Sequence, residues 1–335
     1  MAPGAEFTLT IHHFLGPNST TQAELIEPWA QGIEADSQGR LAFEIFPAMS
    51  LGGRAPALYS QVRDGVADIV WTLAGYTPGV FPRAEVFELP TVHQGSALAT
   101  NLAIQRLFDP FLAPDFADVK PLLIHVHQGQ AIHTVDRPVR SLADLANLKL
   151  RTPSRTGAWM LTAWGADPVS MPLPEVPQAL SRGVVDGLLI PFEVVEPLRI
   201  HDLTTASTEG YQGMRFGTAV FIFAMNRERF AGLPQDLQAI IDRHSGQTLA
   251  TVAGRAWDAV EPRVKDSIAG AGHTMIQLDA AAQRAFDQAA QRAVARWIEE
   301  VSGAGLDGEA LVAAARAAVA TATAAAANAP EVGGD

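Results

Sequence analysis

The first 75 residues constrain the fold more than any other feature of the chain, because they alternate short apolar runs with helical ones. FTLTIHHF at 7–14 is an apolar strand. It is followed by the loop GPNST, and Ser19 or Thr21 can cap the helical stretch TQAELIEPWAQGIEADSQG. LAFEIFP at 41–47 alternates with period two, APALYSQVRDG reads as a helix closed near Gly65, and ADIVWTLAG is the unbroken apolar run of a buried strand. An order of β-α-β-α-β argues for an α/β fold, with a parallel sheet covered by helices on both faces.

The alternation resumes further on. PLLIHVHQG and LKLR read as strands, TGAWMLTAWG as a helix, and VDGLLIPF and TAVFIFAMN as strands. Residues 233–272 then read as one long helix, and at 1.5 Å per residue about 30 helical residues span roughly 45 Å, more than one small domain needs. A chain of 335 residues also exceeds what one hydrophobic core usually holds. Two lobes with the helix crossing both are expected, and the cleft at the carboxyl ends of the strands is where a ligand belongs. The segment ALVAAARAAVATATAAAANAP reads as an alanine-rich helix fraying before EVGGD.

A net charge of −12 with no basic patch excludes nucleic acid and anionic lipid as partners. No uninterrupted run of about 20 apolar residues suggests a membrane span, so no membrane insertion is expected. With no cysteine there is no disulfide or thiolate chemistry, and the chain shows no basic-then-apolar export leader at its start. The elbow, zincin, phosphate-loop and dinucleotide motifs are all missing. His12, His13, His125, His127 and His133 are the candidates for metal or base chemistry, but no carboxylate cluster completes a metal set, so neither metal nor cofactor is expected.

The stretch LKLRTPSR ends a strand on Arg151 and places Pro153 and Ser154 just before a helix start near Arg155. A guanidinium beside the positive end of a helix makes a composite anion site, where a carboxylate can take a bidentate fork. A neighbouring Asp or Glu is the competing partner, and since 21 of the 24 basic residues are arginine, the residue type alone decides nothing.

At this point the chain resembles a family. LADLANLKLRTPSR, WGADPVSMPLPEVPQALSRGVVDG, HHFLGPNSTTQAELIEPWAQGIEADSQGRLAFEIFPAMSLGG, VRDGVADIVWTLAGYTPGVFPRAEVFELP and FAMNRERFAGLPQDLQAII are similar, in order, to blocks of the solute-binding proteins of tripartite ATP-independent periplasmic (TRAP) transporters. The resemblance implies a two-lobed periplasmic-binding-protein-like fold, periplasmic residence after leader removal, no enzymatic activity, and delivery of an organic acid to the permease membrane subunits. The expected division is 6–129 with about 219–255 in one lobe, about 130–218 with 256–325 in the other, and a disordered tail at 326–335.

The resemblance also makes Arg151 the carboxylate anchor. Ala131 stands where many members carry a second arginine, and Ile190 where many carry asparagine. These departures argue against a dicarboxylate or sialic-acid-like ligand, because hydroxyls without partners cost about 1–3 kcal/mol each to desolvate. A monocarboxylate with a hydrophobic or aromatic body is expected, contacted by Ile190, Phe192, Leu173, Trp71, Tyr76, Phe14 and Phe216. His12, His13, Gln128 and Gln130 are candidates for a second oxygen or a ring hydroxyl, and Glu193 for orienting Arg151 or accepting from a ligand hydroxyl. Two alternatives stand beside the receptor: a cleft enzyme with His127 or His133 as general base, and a ligand sensor for a signalling receptor.

Overall fold

The computed structural model describes residues 4–327. In its first half the chain runs through β1 (Phe7–His13), α1 (Glu27–Asp36), β2 (Leu41–Phe46), α2 (Leu58–Arg63), β3 (Ile69–Leu73), α3 (Ala97–Leu107) and β4 (Val119–Val126). It continues with β5 (Ala131–Thr134), β6 (Lys149–Thr152), α4 (Arg155–Trp164), β7 (Asp167–Ser170), α5 (Val176–Ser181), β8 (Gly187–Ile190) and β9 (Ala206–Glu209). The remainder is β10 (Val220–Asn226), α6 (Arg227–Ala231), α7 (Gln235–Arg243), α8 (Gly246–Gly270), β11 (Thr274–Gln277), α9 (Ala280–Gly303) and α10 (Gly308–Ala327).

The strands form two sheets, ordered β2-β1-β3-β10-β4 and β11-β9-β5-β8-β6-β7, and each is the centre of one lobe. The expected parallel pairing holds for β1 with β2 and β3, and for β6 with β7 and β8. It fails at β10, which is antiparallel to β3 and β4, and at β5, which is antiparallel to β8 and β9. The reason is connectivity. The chain leaves the first sheet after β4, enters the second at β5, and returns through residues 210–219 to lay β10 between β3 and β4.

These two crossings pair with each other, since the Gln130 amide donates to the Gly217 carbonyl and the Phe216 amide to the Gln130 carbonyl, both at 2.9 Å. Gly129 is required there. It adopts φ +115°, and a Cβ would fall 2.4 Å from the Cβ of Arg215. The third connection is α8, about 37 Å long at 1.5 Å per residue, which packs on α3 and β4 of the first lobe and on the Phe192–Val194 turn of the second.

Two expectations change. The single helix at 233–272 is two, because Ser245 takes extended backbone (φ −112°, ψ −175°) between α7 and α8. The stretch 308–325 belongs with the first lobe, because α10 buries Leu311, Ala315 and Val319 and packs on α3. By length and composition α10 is also apolar enough to cross a bilayer, its hydropathy raised by alanine rather than by large side chains. Residues 326 and 327 of the expected tail are helical, and 328–335 lie outside the described residues.

Candidate functional site

A cavity lies between the lobes. The first lobe supplies Phe14, Leu15, Trp71, Leu73 and Tyr76; the hinge strands supply His127, Gln130, Ala219 and Phe221. The second lobe supplies Arg151, Pro153, Leu173, Leu189, Ile190, Pro191, Glu193 and Val194. The ends of β6 and β8 and the start of β5 meet at one edge of the second sheet, so Arg151, Ile190 and Gln130 share the cavity by topology.

Arg151 is 2% exposed, its Nε donates to the Met171 carbonyl (3.0 Å) and its Nη1 to the Leu189 carbonyl (3.3 Å). Nη2 is buried with no hydrogen-bond partner, and among the described residues no carboxylate pairs with this guanidinium. Burial lowers its pKa from the ordinary arginine value, and a buried cation without an anion is costly.

Burial favours the neutral forms of the other ionisable groups on the wall. Burial raises Glu193 to about 8, while the Trp257 indole N–H donates to its Oε1 (3.1 Å) and opposes that rise. Burial also holds His127 well below the usual histidine range. Among the described lining residues Arg151 is the only arginine or lysine.

The aromatic wall is built as one stack. Trp71 lies over Phe221 with ring centres 4.6 Å apart and planes 10° apart, and Phe14 packs against both Trp71 (5.0 Å) and Tyr76 (5.3 Å). The Trp71 indole N–H donates to His125 Nε2 (2.9 Å), so its polar edge is satisfied and its face is apolar. The two positions that depart from the family pattern, Ala131 and Ile190, are cross-strand partners in the β5–β8 register and are both buried.

The lobes touch around this cavity. The Tyr76 hydroxyl accepts from the Leu173 amide (2.8 Å), and Gly75 passes so close that a Cβ would meet Ser154 Cβ at 2.6 Å and the Pro153 carbonyl at 3.0 Å. Arg155 forks onto Glu85 (2.8 and 2.6 Å) and also pairs with Glu300. Glu88 accepts from the Thr156 hydroxyl (2.6 Å) at the start of α4 and from the Val220 amide (3.0 Å). The anion expected at this helix start is thus a carboxylate of the other lobe, while Ser154 caps the helix by accepting from Gly157.

Of the expected contacts, Arg151, Trp71, Tyr76, Phe14, Ile190, Leu173, Gln130 and Glu193 come together on the cavity. Five do not. His12 is bonded to Gln61 and His13 to Gln22, and both are buried away from the cavity wall. Gln128 sits beyond the wall, its carbonyl taken by His93. Phe192 points to the hinge ion cluster, 5.5 Å from Arg215 and 5.7 Å from Lys265. Phe216 packs with Trp164 (5.4 Å) and Phe286 (5.5 Å) in the second lobe's own core. The sequence reading missed Phe221, Leu189 and Leu15, whose alternation on strands and loops marked them only as core.

The family described as bacterial extracellular solute-binding protein, family 7 (DctP), matches residues 11–300. Among solved structures, a TRAP solute-binding protein from an unidentified marine metagenome microbe, specific for aromatic acid ligands and bound to meta-hydroxyphenylacetate, is 39% identical, with TM-score 0.91 over 94% of this chain and 98% of that one. A TRAP solute-binding protein from Rhodoferax ferrireducens with copurified benzoate is 37% identical, with TM-score 0.92 over 96% and 99%. A TRAP periplasmic solute-binding protein from Bordetella bronchiseptica with both mandelate enantiomers bound is 27% identical, with TM-score 0.86 over 94% and 99%. With the family match spanning most of its length and its two-lobed cleft fold shared with these receptors, the chain belongs to the DctP family of TRAP solute-binding proteins.

Proposed function

We propose that this protein is a periplasmic TRAP receptor that captures an aromatic monocarboxylate and delivers it to the permease membrane subunits. The observation that carries the proposal is the buried Arg151 guanidinium, which has a free Nη2 and no carboxylate partner among the described residues. One buried cation without a countercharge calls for one anionic charge. The Trp71–Phe221 stack and Ile190 then suit a flat apolar body and leave a second carboxylate without a partner. The aromatic acids bound by the similar structures support the same class.

A hydrolytic or proton-abstracting role for the cleft histidines has no support in the geometry. His127 Nδ1 already accepts the Gly129 amide (2.9 Å), so its ring proton sits on Nε2 and burial resists a second proton. His133 is bonded to Ser207 and the Ile190 carbonyl, away from the cavity.

Thermal shift and calorimetry with benzoate, mandelate and succinate test the proposal. An aromatic acid at 100 times its Kd adds about 2.7 kcal/mol of stability, succinate adds none, and Arg151→Ala abolishes the shift. A shift retained in that variant overturns the assignment.

A further inference from the structure

We propose that Gln130 and His127 form a second polar subsite that reads a hydroxyl on the ring of the acid held by Arg151; the inference rests on the receptor reading above. Gln130 lines the cavity and is 2% exposed. Its amide nitrogen donates to the Thr218 carbonyl (3.2 Å), and because a carbonyl only accepts, the opposite end of the side chain is Oε1. That oxygen is buried and has no hydrogen-bond donor.

His127, also on the wall, is its complement. The Gly129 amide donates to Nδ1, which fixes the neutral ring's one proton on Nε2, and that N–H has no acceptor among the described residues. Thr218 holds both groups side by side, its hydroxyl 3.3 Å from the His127 Nδ1 and its carbonyl on the Gln130 amide. One unused acceptor and one unused donor therefore share the hinge wall.

A hydroxyl satisfies both at a single oxygen. A carboxylate brings no proton for Gln130 Oε1, and an ammonium brings no lone pair for His127 Nε2–H. The spacing suits one ring. Gln130 directly precedes β5 and Arg151 lies on β6, with β8 between them, so the backbones are about two strand spacings, roughly 10 Å, apart. The Arg151 side chain spends part of that distance reaching the Leu189 carbonyl on β8. Ile190 and the Trp71 face line the same cavity and offer no competing polar group.

Isothermal calorimetry with benzoate, 3-hydroxybenzoate and 4-hydroxybenzoate, on the wild-type chain and on Gln130→Met, tests the inference. Wild type is expected to bind one hydroxylated acid about two- to ten-fold tighter than benzoate, the factor one buried hydrogen bond supplies. Gln130→Met keeps the side-chain volume, and the ratio of hydroxylated-acid to benzoate affinity falls to near one. Benzoate bound by wild type as tightly as either hydroxylated acid overturns the inference alone, and that arm requires no variant to fold. Equal weakening of all three acids by Gln130→Met overturns it too, by making the residue structural. Absence of binding for all three acids overturns the receptor reading and this inference with it.

Discussion

Two arginines with buried side chains, Arg151 and Arg215, stand in opposite settings. Arg151, at the cavity, donates to two carbonyls, stands beside the Tyr76 hydroxyl and meets no carboxylate among the described residues. Arg215, at the hinge with its side chain 5% exposed, is held by Glu209 (2.6 Å) and Glu261 (2.7 Å), and Lys265 closes the cluster on Glu209 (2.7 Å). The ion pairs of Arg215 tie β9, the return crossing and α8 together. Arg215 is therefore neutralised by the fold, whereas Arg151 requires an anion from outside. Burial alone does not identify a binding residue; burial without a countercharge does.

The largest expected effects separate the two arginines cleanly. Arg215→Met strands the buried Glu261 carboxylate and leaves Glu209 with Lys265 as its cation, so unfolding in urea is expected to show a loss of about 3–5 kcal/mol with or without ligand. Arg151→Met removes an unpaired buried charge, so the ligand-free protein keeps or gains stability while acid binding falls by about 2–5 kcal/mol in calorimetry. Equal destabilisation of the ligand-free protein by both changes breaks the comparison.

A smaller effect concerns pH. Burial raises Glu193 from 4.5 to about 8, so between those values the folded state holds one more proton than the unfolded state. Its contribution is full below about pH 4.5 and is lost as pH rises toward 8, at up to about 1.4 kcal/mol per unit. Glu88, raised to about 7, acts in the same direction, and the buried histidines act in the opposite one. The difference between wild-type and Glu193→Gln stability curves from pH 5 to 8 isolates the Glu193 part, and a flat difference refutes it. The smallest effect sharpens the role of closure. Tyr76→Phe deprives the Leu173 amide of its acceptor across the cleft and is expected to weaken every acid by a similar 0.5–1.5 kcal/mol, roughly two- to ten-fold.

The contrast between the arginines also marks how much the sequence disclosed. Local patterns announced the strands of both lobes, the helix start after Arg151 and the apolar character of Trp71, Tyr76 and Ile190, because period and capping are short-range properties. The countercharges were not legible. Glu261 lies 46 residues from Arg215 and meets it only when α8 packs on the hinge. For the same reason Phe216 looked like a ligand contact: its neighbour Gly217 (φ +71°) turns the chain, and the ring enters the second core. Phe221 was read as buried strand because nothing local reveals that β10 slips antiparallel beside β3, directly under Trp71.

The bond between Glu88 and the start of α4 has a consequence for how such receptors diversify. The helix end that could have held the solute's charge is used to fasten one lobe to the other, at Thr156 rather than inside the cavity. Recognition and fastening thus draw on different side chains. Residues such as Ile190 or Gln130 can be exchanged to admit a new acid without re-engineering the bolt that shuts behind it.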